Sequence, residues 1–410
     1  MRREFSVPVN YLPRPSDNLV DDVYAHAERS PDRAGFARRV DGVWQPVTYR
    51  DFADQVTRLA AGFVAAGIRP GDRVALLSAT RYEWMLCDFA IWAAAGVTVP
   101  VYATSSAEQI DWILRDSGAV AIVVETDDHM AEVESVRPNL PDLRHVWRID
   151  QLDDVTAGGR DVPADDVHAR HRAVTSDQLA TVIYTSGTTG RPKGCVLTHA
   201  NLLFGTRNVC TAPGIREQVF NEQTRTLHFL PLAHVLAREI QLAAVHNGVH
   251  LAHGDIKNLP PQLVEFRPTT VLAMPRVFER IYNTAKHKAA DEGKARIFHL
   301  AETTASDYSR SLEGGRRPAP MLRLRHAVLD RLVYGKIRAA VGGEVRYAVS
   351  GGAALGERLG HFFRGVGINV LEGYGLTLIF QPGSPCPVCL DRIRRFRARW
   401  GQRLRRRLGR

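Results

Sequence analysis

Apolar residues recur along this chain at two spacings, every third or fourth position and every second, and the switches between them mark out its elements. From Val47 to Gly67 the apolar set Phe52, Val56, Leu59, Ala60, Phe63 and Val64 falls at helical spacing. Thr48 stands where it can cap that helix, with Asp51 three residues on. Gly71-Asp72 then turns into a short apolar run, Val74 to Leu77. A second helix is predicted from Arg81 to Ala95 and a strand from Val97 to Val101. Ser106 with Gln109 predicts a capped third helix carrying Ile110, Ile113 and Leu114, and Ala119 to Val124 reads as a further strand. Strands alternating with helices predict a parallel sheet with helices on its faces. No Gly-x-Gly-x-x-Gly follows any of these strands, so a dinucleotide-binding fold has no support.

Residues 127–176 are polar, rich in Asp and Arg, and read as a connecting region with one strand near Val146. Thr181 to Tyr184 is the next strand, and Thr198 is placed to cap a helix reaching Val209. Thr226 to Leu230, Val249 to Ala252 and Thr269 to Ala273 read as strands. Between them, one helix opens at Pro231-Leu232-Ala233-His234 and reaches Val245, and another covers Pro261 to Phe266. Pro275 begins a long charged helical region that breaks near Gly314-Gly315 and runs to Ala340. Val345 to Ser350 and Ile368 to Glu372 are strands on either side of the turn Gly351-Gly352-Ala353. The globular pattern ends at Gly373-Tyr374-Gly375-Leu376-Thr377, and from Leu378 the chain turns rich in Arg and Pro. No internal repeat is found.

Composition narrows the class. An apolar content of 45% and a charged content of 24% are those of an ordinary globular enzyme. Five scattered cysteines make no disulfide framework and suggest a reducing compartment. No apolar run is long enough to cross a bilayer, and Met1 to Leu12 has no signal-type core, so the expected location is the cytoplasm. Net charge is +10, yet residues 381–410 hold ten Arg against one Asp, so the first 380 residues are nearly neutral. A specific nucleic-acid partner is therefore not expected. Electrostatic contact of that tail with anionic lipid, at a membrane periphery, stays open beside the plainer reading of an unselected, disordered tail. Cys386-Pro387-Val388-Cys389 has no second CxxC and no nearby His, and no metal site is assigned to it.

The candidate chemistry is concentrated in Tyr184-Thr185-Ser186-Gly187-Thr188-Thr189-Gly190-Arg191-Pro192-Lys193-Gly194. Glycines let backbone approach a ligand closely, freed N–H groups and hydroxyls surround an anion, and Lys193 adds a point charge. This predicts a phosphate cradle, with a Gly/Thr-rich surface turn as the plain alternative. It is not the GxxxxGK[ST] loop, because Pro192 stands at the second glycine and Gly194 follows the lysine.

The whole string resembles the phosphate loop of the adenylate-forming (AMP-binding) superfamily. Two later stretches resemble that superfamily in the same order, Ser350-Gly351-Gly352-Ala353 and Glu372-Gly373-Tyr374-Gly375-Leu376-Thr377. The resemblance narrows toward long-chain fatty acyl-CoA synthetases through Val97 to Tyr102, Thr104-Ser105-Ser106, the Pro-Leu-Ala-His run ending at His234, and Met274 to Tyr282 followed by the long helical insertion. It covers residues 15 to 377. It implies an α/β fold of stacked, mostly parallel sheets flanked by helices, the large N-terminal part of an adenylate-forming enzyme.

The activity it implies is ATP-dependent ligation of a long-chain fatty acid to coenzyme A through an acyl-adenylate. By resemblance, Thr185, Ser186, Gly187, Thr188, Thr189, Gly190 and Lys193 hold the β- and γ-phosphates. Gly351, Gly352, Ala353, Gly373 and Gly375 lie along the adenine, Tyr374 stacks on it, and Thr377 contacts the α-phosphate. Thr185, Lys193 and Thr377 are the residues assigned to catalysis. His234 is placed by resemblance near the acyl pocket, with a role as a helix-start residue equally open.

One departure stands out. The family's Mg²⁺-holding glutamate would follow Thr377, where this chain has Leu378, which offers a hard cation no oxygen. The family's ribose-binding aspartate, hinge and C-terminal lid domain are not recognisable in residues 378–410. The expectation is therefore one incomplete adenylation domain over residues 1–377, a tail over 378–410 produced by a shifted reading frame, and weak or no ligase activity. The alternatives are an adenylating ligase for another carboxylic acid and a non-catalytic nucleotide- or acyl-binding protein.

Overall fold

The computed structural model describes residues 9–185, 191–211, 214–313 and 317–373. The chain divides into two compact units, Tyr11–Leu272 and the residues from Ala273 onward together with the first ten.

In the first unit the strand–helix alternation predicted after Gly67 is present. Strands β1 (Ala34–Val40) and β2 (Val43–Thr48) form a hairpin through Asp41 and Gly42, both at positive φ. Next come β3 (Arg73–Leu77), β4 (Val97–Val101), β5 (Ala119–Val124), β6 (His145–Arg148), β7 (Leu179–Thr185) and β8 (Lys193–Thr198). They make a sheet in the order β6-β5-β3-β4-β7-β8, parallel throughout except for the antiparallel pair β7–β8. A second sheet joins β2-β1 to β10 (His250–His253), β9 (Arg225–His228) and β11 (Thr270–Ala273), parallel from β1 onward. This is the α/β architecture expected from the sequence.

The helix Tyr82–Ala93 is buried on every side, as its nearly unbroken apolar sequence requires. The helix Val235–His246 packs on β10 and reaches β7 through Arg238, so it touches both sheets. The capping boxes predicted at Thr48 and Ser106 are both formed.

Residues 127–176 differ from expectation. They hold three short helices, Asp127–Val136, Leu152–Gly158 and Ala164–Arg172, around the predicted strand β6. Their sequences bury only a few positions each, Val133, Leu152, Val167 and His171 among them, so periodicity was too weak to show them. Docking stabilises them instead: a Cβ on Gly62 would lie 2.3 Å from the Val155 carbonyl oxygen, so two backbones meet where only glycine fits. Strand β8 was also unforeseen. It reads as part of the loop, but its pairing with β7 turns Cys195 and Leu197 inward.

In the second unit, the helices Pro275–Asp291, Ala295–Ser311, Pro320–Leu329 and Gly335–Ala340 occupy the predicted helical region. Strands β12 (Tyr347–Ser350) and β13 (Asn369–Glu372) pair in parallel, joined by an unforeseen helix, Glu357–Val366. That helix packs Phe362 and Phe363 against Tyr282, Phe298 and Phe278.

Candidate active site

The phosphate-loop string begins on β7 and ends on β8. Antiparallel pairing sets Thr185 opposite Lys193 and Tyr184 opposite Gly194. Two of the predicted phosphate-binding residues, eight apart in sequence, thus become cross-strand neighbours at the mouth of the loop. Lys193 is exposed to solvent. Ser186, Gly187, Thr188, Thr189 and Gly190 lie outside the described residues. Gly194 has a steric reason: a Cβ there would fall 2.9 Å from Val182 Cγ1 and 3.2 Å from Tyr184 Cζ. The Tyr184 hydroxyl donates to Asp116 Oδ2 at 2.6 Å, and burial pushes the phenol pKa upward.

Behind the loop, β7 is anchored by a buried polar network. Arg238 and Asp88 are both fully buried, and Arg238 Nε donates to Asp88 Oδ2 at 2.8 Å while Nη2 donates to Oδ1. Nη1 donates to Thr181 Oγ1 at 2.6 Å. Thr181 in turn donates to the Thr98 carbonyl at 2.7 Å, and the Thr98 hydroxyl donates to Asp88 Oδ1 at 2.7 Å. The guanidinium lies over the rings of Trp92 and Trp84, at 4.8 and 5.6 Å. Burial pushes the Asp88 carboxyl pKa upward, and the guanidinium and the Thr98 hydroxyl pull it back. Neither Asp88 nor Arg238 was singled out in the sequence. The available signal was an acid in the middle of a nearly unbroken apolar helix, well past Glu83 at its first turn, a position that burial tolerates only with a partner.

His234 caps the helix Val235–His246, its Nδ1 accepting from the Leu236 N–H at 3.2 Å, and desolvation lowers its pKa. The run leading to it is held by Thr80, whose hydroxyl donates to the Leu230 carbonyl at 2.7 Å and accepts from the Leu232 N–H at 3.3 Å. Arg238 sits one turn beyond His234, so the helix that the Pro-Leu-Ala-His run leads into and caps also carries the anchor of β7.

The second unit gathers the other predicted segment. Gly373 follows β13 and donates its N–H to the Ser350 carbonyl at 2.8 Å, which brings Gly351, Gly352 and Ala353 beside it. Gly352 has φ +80°, a conformation that favours glycine, and is exposed, with nothing among the described residues within 4 Å of a would-be Cβ. The Glu372 side chain accepts from the Leu355 N–H at 2.8 Å, closing the turn on itself. Tyr374, Gly375, Thr377 and Leu378 lie outside the described residues.

Comparison with known proteins gives one consistent picture. The AMP-binding enzyme family profile matches residues 23–377. The long-chain-fatty-acid–CoA ligase FadD15 of Mycobacterium tuberculosis is 48% identical over 381 residues, covering 92% of this chain and 63% of that protein. The peroxisomal long chain acyl-CoA synthetase 7 of Arabidopsis thaliana is 31% identical over 413 residues, covering 91% and 56% respectively. The chain thus spans less than two thirds of the length of these relatives. Among solved structures, the N-terminal domain of FACL13 from Mycobacterium tuberculosis superposes with a TM-score of 0.65 at 22% identity, over 88% of this chain and 76% of that one. At that identity the likeness is one of fold.

Proposed function

Since the chain belongs to the AMP-binding enzyme family, we propose that its chemistry is activation of a long-chain fatty acid with ATP and transfer of the acyl group to coenzyme A, at a rate lowered by Leu378 in the place of the magnesium-holding glutamate. In the first step a carboxylate oxygen attacks the α-phosphorus, the bond to the β-phosphate oxygen breaks, and pyrophosphate leaves. In the second the coenzyme A thiol, losing its proton, attacks the acyl carbonyl and AMP departs. The protein forms no covalent bond in either step; it holds two anions together and offsets developing charge.

The observation that carries this reading is the pairing of Thr185 with Lys193, which places a hydroxyl and an exposed ammonium together at the loop's mouth. Ser186, Thr188 and Thr189 complete the phosphate set, and Thr377 meets the α-phosphate. The exposed backbone at Gly352 offers a surface for the adenine, and the motif's resemblance assigns Tyr374 to stack on it. His234 serves chiefly as a helix cap. Magnesium would arrive with the triphosphate. Leu378 supplies no oxygen ligand to it, so no protein contact is assigned and no step is routed through it. A long-chain acid as substrate follows from the relatives' names, FadD15 above all.

The test is ATP–pyrophosphate exchange with palmitate on this polypeptide. Exchange that requires the fatty acid supports the proposal. ATP binding without exchange would overturn the ligase reading and leave a nucleotide-binding protein; the absence of both would overturn nucleotide binding as well.

A further inference from the structure

The phosphate loop hangs from a sheet edge. Among the described residues β8 is the last strand of its sheet, and the outgoing limb of the loop has no strand on its far side. The helix Ala107–Ser117 lies against it there. Trp112 donates its indole N–H to the Pro192 carbonyl at 2.8 Å, and its ring takes the Arg191 guanidinium at 4.8 Å. One turn further on, Asp116 accepts from the Tyr184 hydroxyl on the incoming limb at 2.6 Å. Two residues at i and i+4 on one helix therefore grip both shoulders of the loop.

We propose that Trp112 and Asp116 are positioning residues for nucleotide binding, a clamp that fixes the separation and orientation of the loop's two limbs before ATP arrives. The proposal rests on the ligase reading above and adds residues that the motif does not contain. Its physical basis is preorganisation: limbs already fixed by Trp112 and Asp116 take up the triphosphate without first losing the entropy of ordering themselves. Trp112 is packed against the core cluster that includes Val182 and Tyr184, so the clamp is tied to the body of the sheet. Arg191 is kept over the ring by the same residue, which holds a second cation near Lys193. The helix itself is fixed at its start by the Ser106–Gln109 capping box and at its end by Gly118 in the left-handed region.

Two readouts test it. The first needs no catalysis. Trypsin cannot cut the Arg191–Pro192 bond but can cut after the exposed Lys193, so cleavage there reports opening of the limb. Trp112→Leu removes both the hydrogen bond and the stacking, and should speed cleavage after Lys193 about tenfold. Trp112→Phe keeps the ring and should give a smaller increase; Asp116→Leu should act like Trp112→Leu, with Asp116→Asn restoring most of the protection. The second readout is kinetic: KM for ATP should rise by a similar factor while KM for the fatty acid stays put. Unchanged cleavage in Trp112→Leu and Asp116→Leu overturns the clamp, as does an equal rise in both KM values. Failure of the unaltered protein to exchange pyrophosphate would instead overturn the ligase reading, while the cleavage experiment still decides whether the clamp exists.

Discussion

Cutting the Asp88–Arg238 pair is the sharpest test of how the loop-bearing strand is held. Both side chains are fully buried, and together they make three hydrogen bonds to each other and to Thr181, with a fourth from Thr98. Arg238→Met strands a carboxylate in the core and Asp88→Leu strands a guanidinium. Removing one member of a buried pair costs about 3–5 kcal/mol. At roughly 2–4 °C per kcal/mol for a body of this size, each single substitution should lower Tm by about 6–20 °C. The double substitution removes both charges at once. It leaves Thr98 without its acceptor, while Thr181 can still donate to the Thr98 carbonyl, so its cost should be about 1–3 kcal/mol. The singles would then sum to several kcal/mol more than the double. Five of the six tryptophans, Trp44, Trp84, Trp92, Trp112 and Trp147, lie in the Tyr11–Leu272 unit, so intrinsic fluorescence during urea unfolding follows that unit. Additivity within about 0.5 kcal/mol, or single costs below about 1 kcal/mol, would refute the argument that a desolvated ion pair holds β7.

Three other outcomes are expected. Lys193→Met should cut the rate of pyrophosphate exchange on the order of a hundredfold by removing the ammonium from the loop's mouth, checked by exchange at saturating ATP. His228 is fully buried, neither ring nitrogen has a hydrogen-bond partner among the described residues, and burial lowers its pKa to about 4. The unfolded chain takes up its proton below about 6.5, so stability should fall as pH drops from there toward 4 by up to about 1.4 kcal/mol per unit; His228→Leu should flatten urea midpoints across that range by one group's share. In the helix Glu357–Val366, a Cβ on Gly365 would sit 2.1 Å from the Ala305 carbonyl oxygen, whereas one on Gly360 meets nothing within 4 Å. Gly365→Ala should therefore cost about 1–3 kcal/mol or more, and Gly360→Ala should be neutral or stabilising by under about 1 kcal/mol, both read by thermal melts.

The stretches that announce themselves in the sequence are those whose local chemistry is self-sufficient. Thr48 and Ser106 each close a capping box within four residues, and the run Val97 to Val101 is apolar enough to be a buried strand anywhere. The loop Tyr184 to Gly194 is legible for the same reason: its hydroxyls, glycines and lysine are contiguous. What the sequence by itself determined is thus the α/β alternation, the family and the position of the string proposed to hold phosphate. The three helices within 127–172, strand β8, the Asp88–Arg238 anchor and the Trp112–Asp116 clamp were decided by tertiary structure alone. Asp88 and Arg238 are 150 residues apart, and Trp112 and Pro192 are 80 apart. No window of periodicity spans such distances; only packing the sheets and helices together removes the water that makes those pairings worth forming.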